Sequence, residues 1–158
     1  MTSKRQRIVD ALIERMQLIK GVNGYRTDIG EDVHDWEIHF QQEDIGKDGA
    51  ISVCDMPAEA VNSEGRSNPQ ETIWKMPVQI RCFFGRDVSP KIVRDAIADI
   101  NDAIRLDDRL RVDGGPGLVM ISRPLREGVV KPQDSFELMG GIVEFEVQYI
   151  TKKFNSEE

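Results

Sequence analysis

A chain of 158 residues with 21 basic and 28 acidic side chains, net charge −7 and 39% hydrophobic residues has the size of one domain, 1–158, and buries roughly two-thirds of its unfolded surface on folding. No run approaches the roughly 20 apolar residues of a bilayer span, and Asp10, Glu14 and Arg15 interrupt the apolar positions behind the basic N-terminus. Neither a membrane partner nor a secretory leader is expected. Cys54 and Cys82 are too few for a disulfide framework or a closed zinc site and read as buried thiols.

The charge is unevenly placed. Residues 1–26 carry +4 and residues 27–70 carry −9. Sequence-independent nucleic-acid binding draws its affinity from neutralised phosphates, so this balance argues against a DNA-gripping role.

In chain order, Ser3 with Gln6 three residues on makes a capping-box start, and Ile8, Val9, Leu12, Ile13, Met16 and Ile19 recur at helical spacing up to Gly21. Asn23-Gly24 marks a turn. Trp36, Ile38 and Phe40 alternate with Glu37, His39 and Gln41, the pattern of a half-buried strand, and a second strand is expected over residues 50–56, with residues 46–49 closing a hairpin between them. Residues 58–70 are almost free of apolar side chains after Val61 and read as a mobile loop, long enough to suggest a role in assembly.

Thr72, Trp74, Met76, Val78, Ile80, Cys82 and Phe84 share one face of a long strand. Pro77 removes a ladder donor from its middle, which calls for an edge or a bulge there. Ser89-Pro90 opens a helix whose stripe is Ile92, Val93, Ala96, Ile97, Ile100 and Ile104 and which ends near Leu106, before Asp107-Asp108. After the glycine-rich turn at 114–117 a short strand is expected over 118–121, then a polar segment. The last strand points Val143, Phe145, Val147 and Tyr149 one way and Glu144, Glu146 and Gln148, read as a wet face, the other. Helix, strands, helix and strands with one-face apolar patterns predict an α+β two-layer fold, an antiparallel or mixed β-sheet with two α-helices packed on one face.

Motifs that carry chemistry are weak. Asp28, Glu31, Asp32, His34, Asp35 and His39 form the one concentration of metal-ligand residue types, yet they lie close together in sequence on a loop leading into a strand, and a structural role is expected. Cys82 shares the apolar phase of its strand with Ile80 and Phe84, which reads as core. The glycines at 114–117 follow a helix and lack the lysine of a phosphate loop. No catalytic, cofactor or metal residues are assigned.

The order of elements and several clusters resemble the tail terminator (tail completion) proteins of long-tailed bacteriophages. The clusters are Asn23-Gly24-Tyr25-Arg26-Thr27-Asp28-Ile29-Gly30, Trp74-Lys75-Met76-Pro77-Val78-Gln79-Ile80, Asp99-Ile100-Asn101-Asp102-Ala103-Ile104 with Asp107-Asp108-Arg109, and the closing strand from Val143 to Thr151. The resemblance implies a non-enzymatic morphogenetic protein without cofactors. It would form a homo-oligomeric, hexameric ring that caps the tail tube, stops its polymerisation and offers a surface to the head-tail connector protein, within a virion tail assembled in the bacterial cytoplasm. DNA would pass through such a ring without specific binding. Candidate assembly residues are Arg5 and Arg7 in the basic stretch and Asn62, Glu64, Arg66 and Asn68 in the loop. The rival readings are a head-tail joining or neck protein, and a metal-dependent hydrolase using the Asp28 to His39 cluster.

Overall fold

A computed structural model of the chain describes residues 2–36, 45, 48–61, 71–85, 88–111, 117–130 and 139–152. The described elements are α1 (Lys4–Gln17), β1 (Val33–Asp35), β2 (Ala50–Asp55), β3 (Glu59–Ala60), β4 (Glu71–Phe84), α2 (Pro90–Arg105), β5 (Met120–Val130) and β6 (Met139–Lys152), with single 3-10 turns at Gly21–Asn23 and Ile29–Glu31. The strands make one mixed sheet in the order β1-β2-β4-β6-β5, with β3 also on β4. β1 pairs parallel to β2 and every other pair is antiparallel. The expected α+β architecture, two helices on a sheet, is the one observed.

The core follows from the period-2 and period-3.6 patterns. On β4 the side chains of Met76, Val78, Ile80, Cys82 and Phe84 are buried, opposite Val147, Phe145 and Val143 of β6. Ile8, Leu12 and Met16 of α1 and Val93, Ala96, Ile97, Ile100, Ala103 and Ile104 of α2 join them in one cluster. Gly141 lets α2 come close: a Cβ there would lie 2.9 Å from Cys82 Sγ and 3.0 Å from Ile97 Cδ1. Ile92, in the first turn of α2, is 41% exposed and does not join the stripe, whose remaining buried position is taken by Asp99.

Ser3 Oγ accepts the Gln6 N–H at 3.2 Å, but the Gln6 side chain donates to Asp10 rather than returning to the cap. α1 stops at Gln17, four residues short of Gly21. The carbonyls just past its end are taken up by the following loop: Asn23 Nδ2 donates to Leu18 O, and Gly30 N to Ile19 O, both at 2.9 Å. Gly30 is the only residue type that fits there, since a Cβ would sit 2.5 Å from Met16 O.

Two expectations are corrected. A strand not expected from the sequence lies at Val33–Asp35, and Trp36 follows it at φ 60° with its N–H donating to Val53 O at 3.0 Å; residues 37–41 of the expected strand lie outside the described residues. β1 runs parallel to β2; the hairpin expected at residues 46–49, between the strand from Trp36 and the strand over 50–56, rests on residues 37–44, 46 and 47, which lie outside the described ones. The start of the expected 58–70 loop is strand: Glu59 pairs with Lys75, Ala60 with Trp74, and Val61 N donates to Ile73 O; residues 62–70 lie outside the described residues.

The second correction is β5, an eleven-residue strand running through Pro124 and Gly128, where a polar segment was expected. It is a sheet edge with two register shifts, between Ile121 and Arg123 and between Pro124 and Arg126, and edges and bulges are where proline is tolerated. Pro77 obeys the same rule from inside the sheet. Its carbonyl faces the β2 side, accepting from Met56 N, at the point where β2 has ended and β3 has not begun, so the missing N–H falls in a gap between neighbours.

Candidate assembly surface

The nominated residues separate. Asn62, Glu64, Arg66 and Asn68 lie outside the described residues. Arg7 is exposed on α1. Arg5, one turn earlier, is held inside the protomer: its Nε donates to Asp55 Oδ2 at 2.6 Å and its Nη2 to Met56 O at 2.8 Å. Trp36 Nε1 donates to the other Asp55 oxygen at 2.8 Å. One β2 carboxylate thus pins the start of α1 and the end of β1. Burial, together with the charges of Asp55 and Asp10, pushes the Asp35 carboxyl above its usual range. A charge reversal at Arg5 would therefore break bonds within the protomer as well as test docking.

The acidic and histidine cluster disperses into local structural roles. Asp28 Oδ1 accepts from Gly21 N at 2.7 Å, His34 Nε2 lies 2.5 Å from Asp32 Oδ1, and Glu31 sits in a 3-10 turn. His39 lies outside the described residues, and among those described no three His, Cys, Asp or Glu side chains come together as metal ligands. Both cysteines are buried, and desolvation raises the Cys82 thiol to about 12, so it stays protonated. The outer sheet face is not simply wet. Gln79 and Glu146 are buried there, Gln79 Nε2 donates to Glu144 at 2.8 Å, Arg81 donates twice to Gln79 Oε1, and Arg126 Nε donates to Glu144 at 2.9 Å.

Among the described residues, the most tightly built polar feature joins two stretches quoted in the sequence, 23–30 and 99–104, whose pairing the sequence alone does not reveal. Asp99 is fully buried on α2, and its carboxylate accepts four hydrogen bonds: Oδ1 from Arg26 N (3.1 Å) and Arg26 Nη1 (3.0 Å), Oδ2 from Thr27 N (2.8 Å) and Thr27 Oγ1 (2.7 Å). Arg26 Nη1 also reaches Asp102 Oδ2 at 2.9 Å, and these two carboxylates raise the Arg26 guanidinium further above its usual range. The signal was present as an aspartate in the apolar phase of a helix between Ala96 and Ala103. A buried charge of that kind has to be paired or hydrogen-bonded.

This clamp fixes a loop that carries Val22 at its tip. Val22 is 90% exposed, although its turn is held by Gly21 N to Asp28, Asn23 Nδ2 to Leu18 O and the Asp99 bonds. Leu18 (46% exposed) and Leu106 (63% exposed) line an open hollow with Asn23, Gly24, Tyr25 and Asp102. Burial, with Asp102 nearby, raises the Tyr25 phenol. A groove of about 430 Å³ between α2 and β5 has Ile104, Pro124 and Leu125 among its apolar lining and, as its charged members, Arg105, Arg126, Glu127 and Glu144, of which Arg126 and Glu144 are bonded to each other. Asn101 Nδ2 donates to Glu127 across it. Apolar side chains held in water by a rigid frame are suited to protein recognition.

No protein-family model matches this chain, and no curated protein is detectably similar to it. Among the described residues no helix is long and apolar enough to cross a membrane.

Proposed function

We propose that this chain is a non-enzymatic structural protein of a phage tail, a tail terminator that assembles as a hexameric ring, caps the tail tube and receives the head-tail connector. The observation that carries the reading is the rigid α+β scaffold with apolar side chains held exposed at the ends of both helices and beside the edge strand. A ring subunit needs separate surfaces for its neighbours, and exposed apolar side chains on a packed frame support that reading. The resemblance of the Asn23 to Gly30 stretch and the closing strand adds to it, and the acidic bias suits a passage that DNA crosses without being gripped.

Electron microscopy tests the reading directly. The purified chain, alone and mixed with tail tubes polymerised from the tube protein of the same phage, is expected to form rings or to sit as a cap on tube ends and halt their growth. Binding only to isolated connector complexes would move the assignment to a neck protein. Tubes that elongate unchanged in its presence, with no rings, would refute it.

A further inference from the structure

The sequence contains one Asn-Gly pair, Asn23-Gly24, and it lies in an exposed turn that bonds within the protomer hold closed. This dipeptide has a chemistry of its own. Glycine has no Cβ to crowd its backbone nitrogen, so that nitrogen can attack the side chain of the preceding asparagine. We propose that Asn23 is a self-modification site gated by the Asp28 and Asp99 bonds of its loop: it deamidates when the loop opens, and the product lacks the bond that ties the turn to the end of α1.

The step balances with water alone. Gly24 N gives up its proton to solvent and bonds to Asn23 Cγ; the Cγ–Nδ2 bond breaks and ammonia leaves, closing a cyclic imide. Water then adds to one of the imide carbonyls and opens the ring, leaving aspartate or isoaspartate in place of the amide.

Three features of the closed loop oppose the step. Gly24 N donates to Gly21 O at 3.0 Å, so the nucleophile is engaged. Asn23 Nδ2 donates to Leu18 O at 2.9 Å, which fixes the amide that has to turn. Asn23 ends a 3-10 turn, and helical ψ values hold the next nitrogen away from a residue's own Cγ. The turn is tied down from beyond itself by Asp28 Oδ1, which accepts from Gly21 N at 2.7 Å, and by the buried Asp99 carboxylate, which accepts from Arg26 N and Thr27 N. After the step one tie is gone, because a carboxylate at position 23 offers Leu18 O no donor and faces it as a second acceptor. Isoaspartate further inserts a carbon into the backbone of the turn. Asn23 and Gly24 are both exposed, so water reaches the imide freely.

The test is peptide mapping of the full chain by mass spectrometry after incubation at mildly alkaline pH. Trypsin cuts after Lys20 and Arg26, so Asn23 is carried on a peptide with no other side-chain amide. In the folded chain it should deamidate at least about tenfold more slowly than in the same chain unfolded in guanidinium chloride, because only the opened loop reacts. Asp28→Ala, a change at an exposed position, should raise the folded rate by about threefold or more. Asp99→Ala should raise it further, with a melting curve to show that the variant is folded. Asn23→Asp, which stands for one product, should speed amide exchange over residues 21–28 by about threefold or more. Equal rates in the folded and unfolded chain, or a folded rate that neither aspartate variant moves, would remove the gate. No product at Asn23 in the unfolded chain would remove the site. An Asn23→Asp chain with unchanged exchange would show that the product leaves the loop closed, and would overturn the switch.

Discussion

Both ends of α1 are tied to the fold by a carboxylate, and the two ties are built differently. At the helix start, Asp55 is shared by Arg5 and the Trp36 indole, with Asp35 and Asp10 close enough to act on the same region through their charge. Beyond the helix end, Asp99 is sealed from water and takes four donors, two of them backbone N–H groups fixed by the loop itself. The first tie has one guanidinium among three carboxylates. The second has every acceptor position used. A loop bonded in the second way keeps its geometry without help from outside the protomer.

Removing the carboxylates one at a time separates the two ties. Asp99→Ala leaves the loop donors facing an apolar cavity and is expected to cost about 3–5 kcal/mol, read by chemical denaturation. It should also release the Val22 loop to faster amide exchange while β4 and β6 keep their protection. A loss below about 1 kcal/mol would mean that water replaces the carboxylate at no great cost and that the loop is not preorganised. At the other end Arg5→Ala should cost less, about 1–2 kcal/mol, because the pair is partly exposed and Trp36 continues to donate to Asp55. Equal losses at the two sites would erase the distinction.

The periodic elements were legible because they answer to patterns a single strand or helix contains. The stripe of α2, the even-numbered face of β4 and the alternation of β6 each declare their buried side. What escaped depends on partners far away in sequence. β5 reads as a polar segment until its place at a sheet edge excuses Pro124, and the three-residue β1 is a strand only through its parallel pairing with β2. Asp99 shows the same limit at the candidate site: an aspartate in an apolar stripe announces that it needs donors, but the donors belong to residues 26 and 27, more than seventy positions earlier. Charge totals proved a poor guide to docking residues, since Arg5, counted in the basic stretch, is already bound inside the protomer.

The smallest expected effect is also the one that reads the electrostatics most directly. Asp35 has its carboxyl raised by burial and by the charges of Asp55 and Asp10, against a lowering hydrogen bond from Gln6. A carboxyl whose folded value lies above its unfolded one binds its proton more tightly in the native state, so stability falls as pH rises from the ordinary aspartate range through the raised value, and the penalty persists above it. Asp35→Asn abolishes that penalty while keeping a side-chain oxygen for Gln6. The variant should therefore be more stable than the parent at pH 7, by well under about 1 kcal/mol because the group is exposed and screened by solvent. The gain should shrink towards zero near pH 3, where the parent carboxyl is itself protonated. Added salt should reduce it at pH 7, since the repulsion acts between partly solvated charges. Paired thermal melts at the two pH values measure the difference, in which contributions common to both chains cancel, including the Asp107 carboxyl held low by the Arg111 and Arg109 N–H groups. A variant less stable than the parent at pH 7 would show that Asp35 is held by attraction to Arg5 rather than repelled by its acidic neighbours, and the start of α1 would then be as well satisfied as its end.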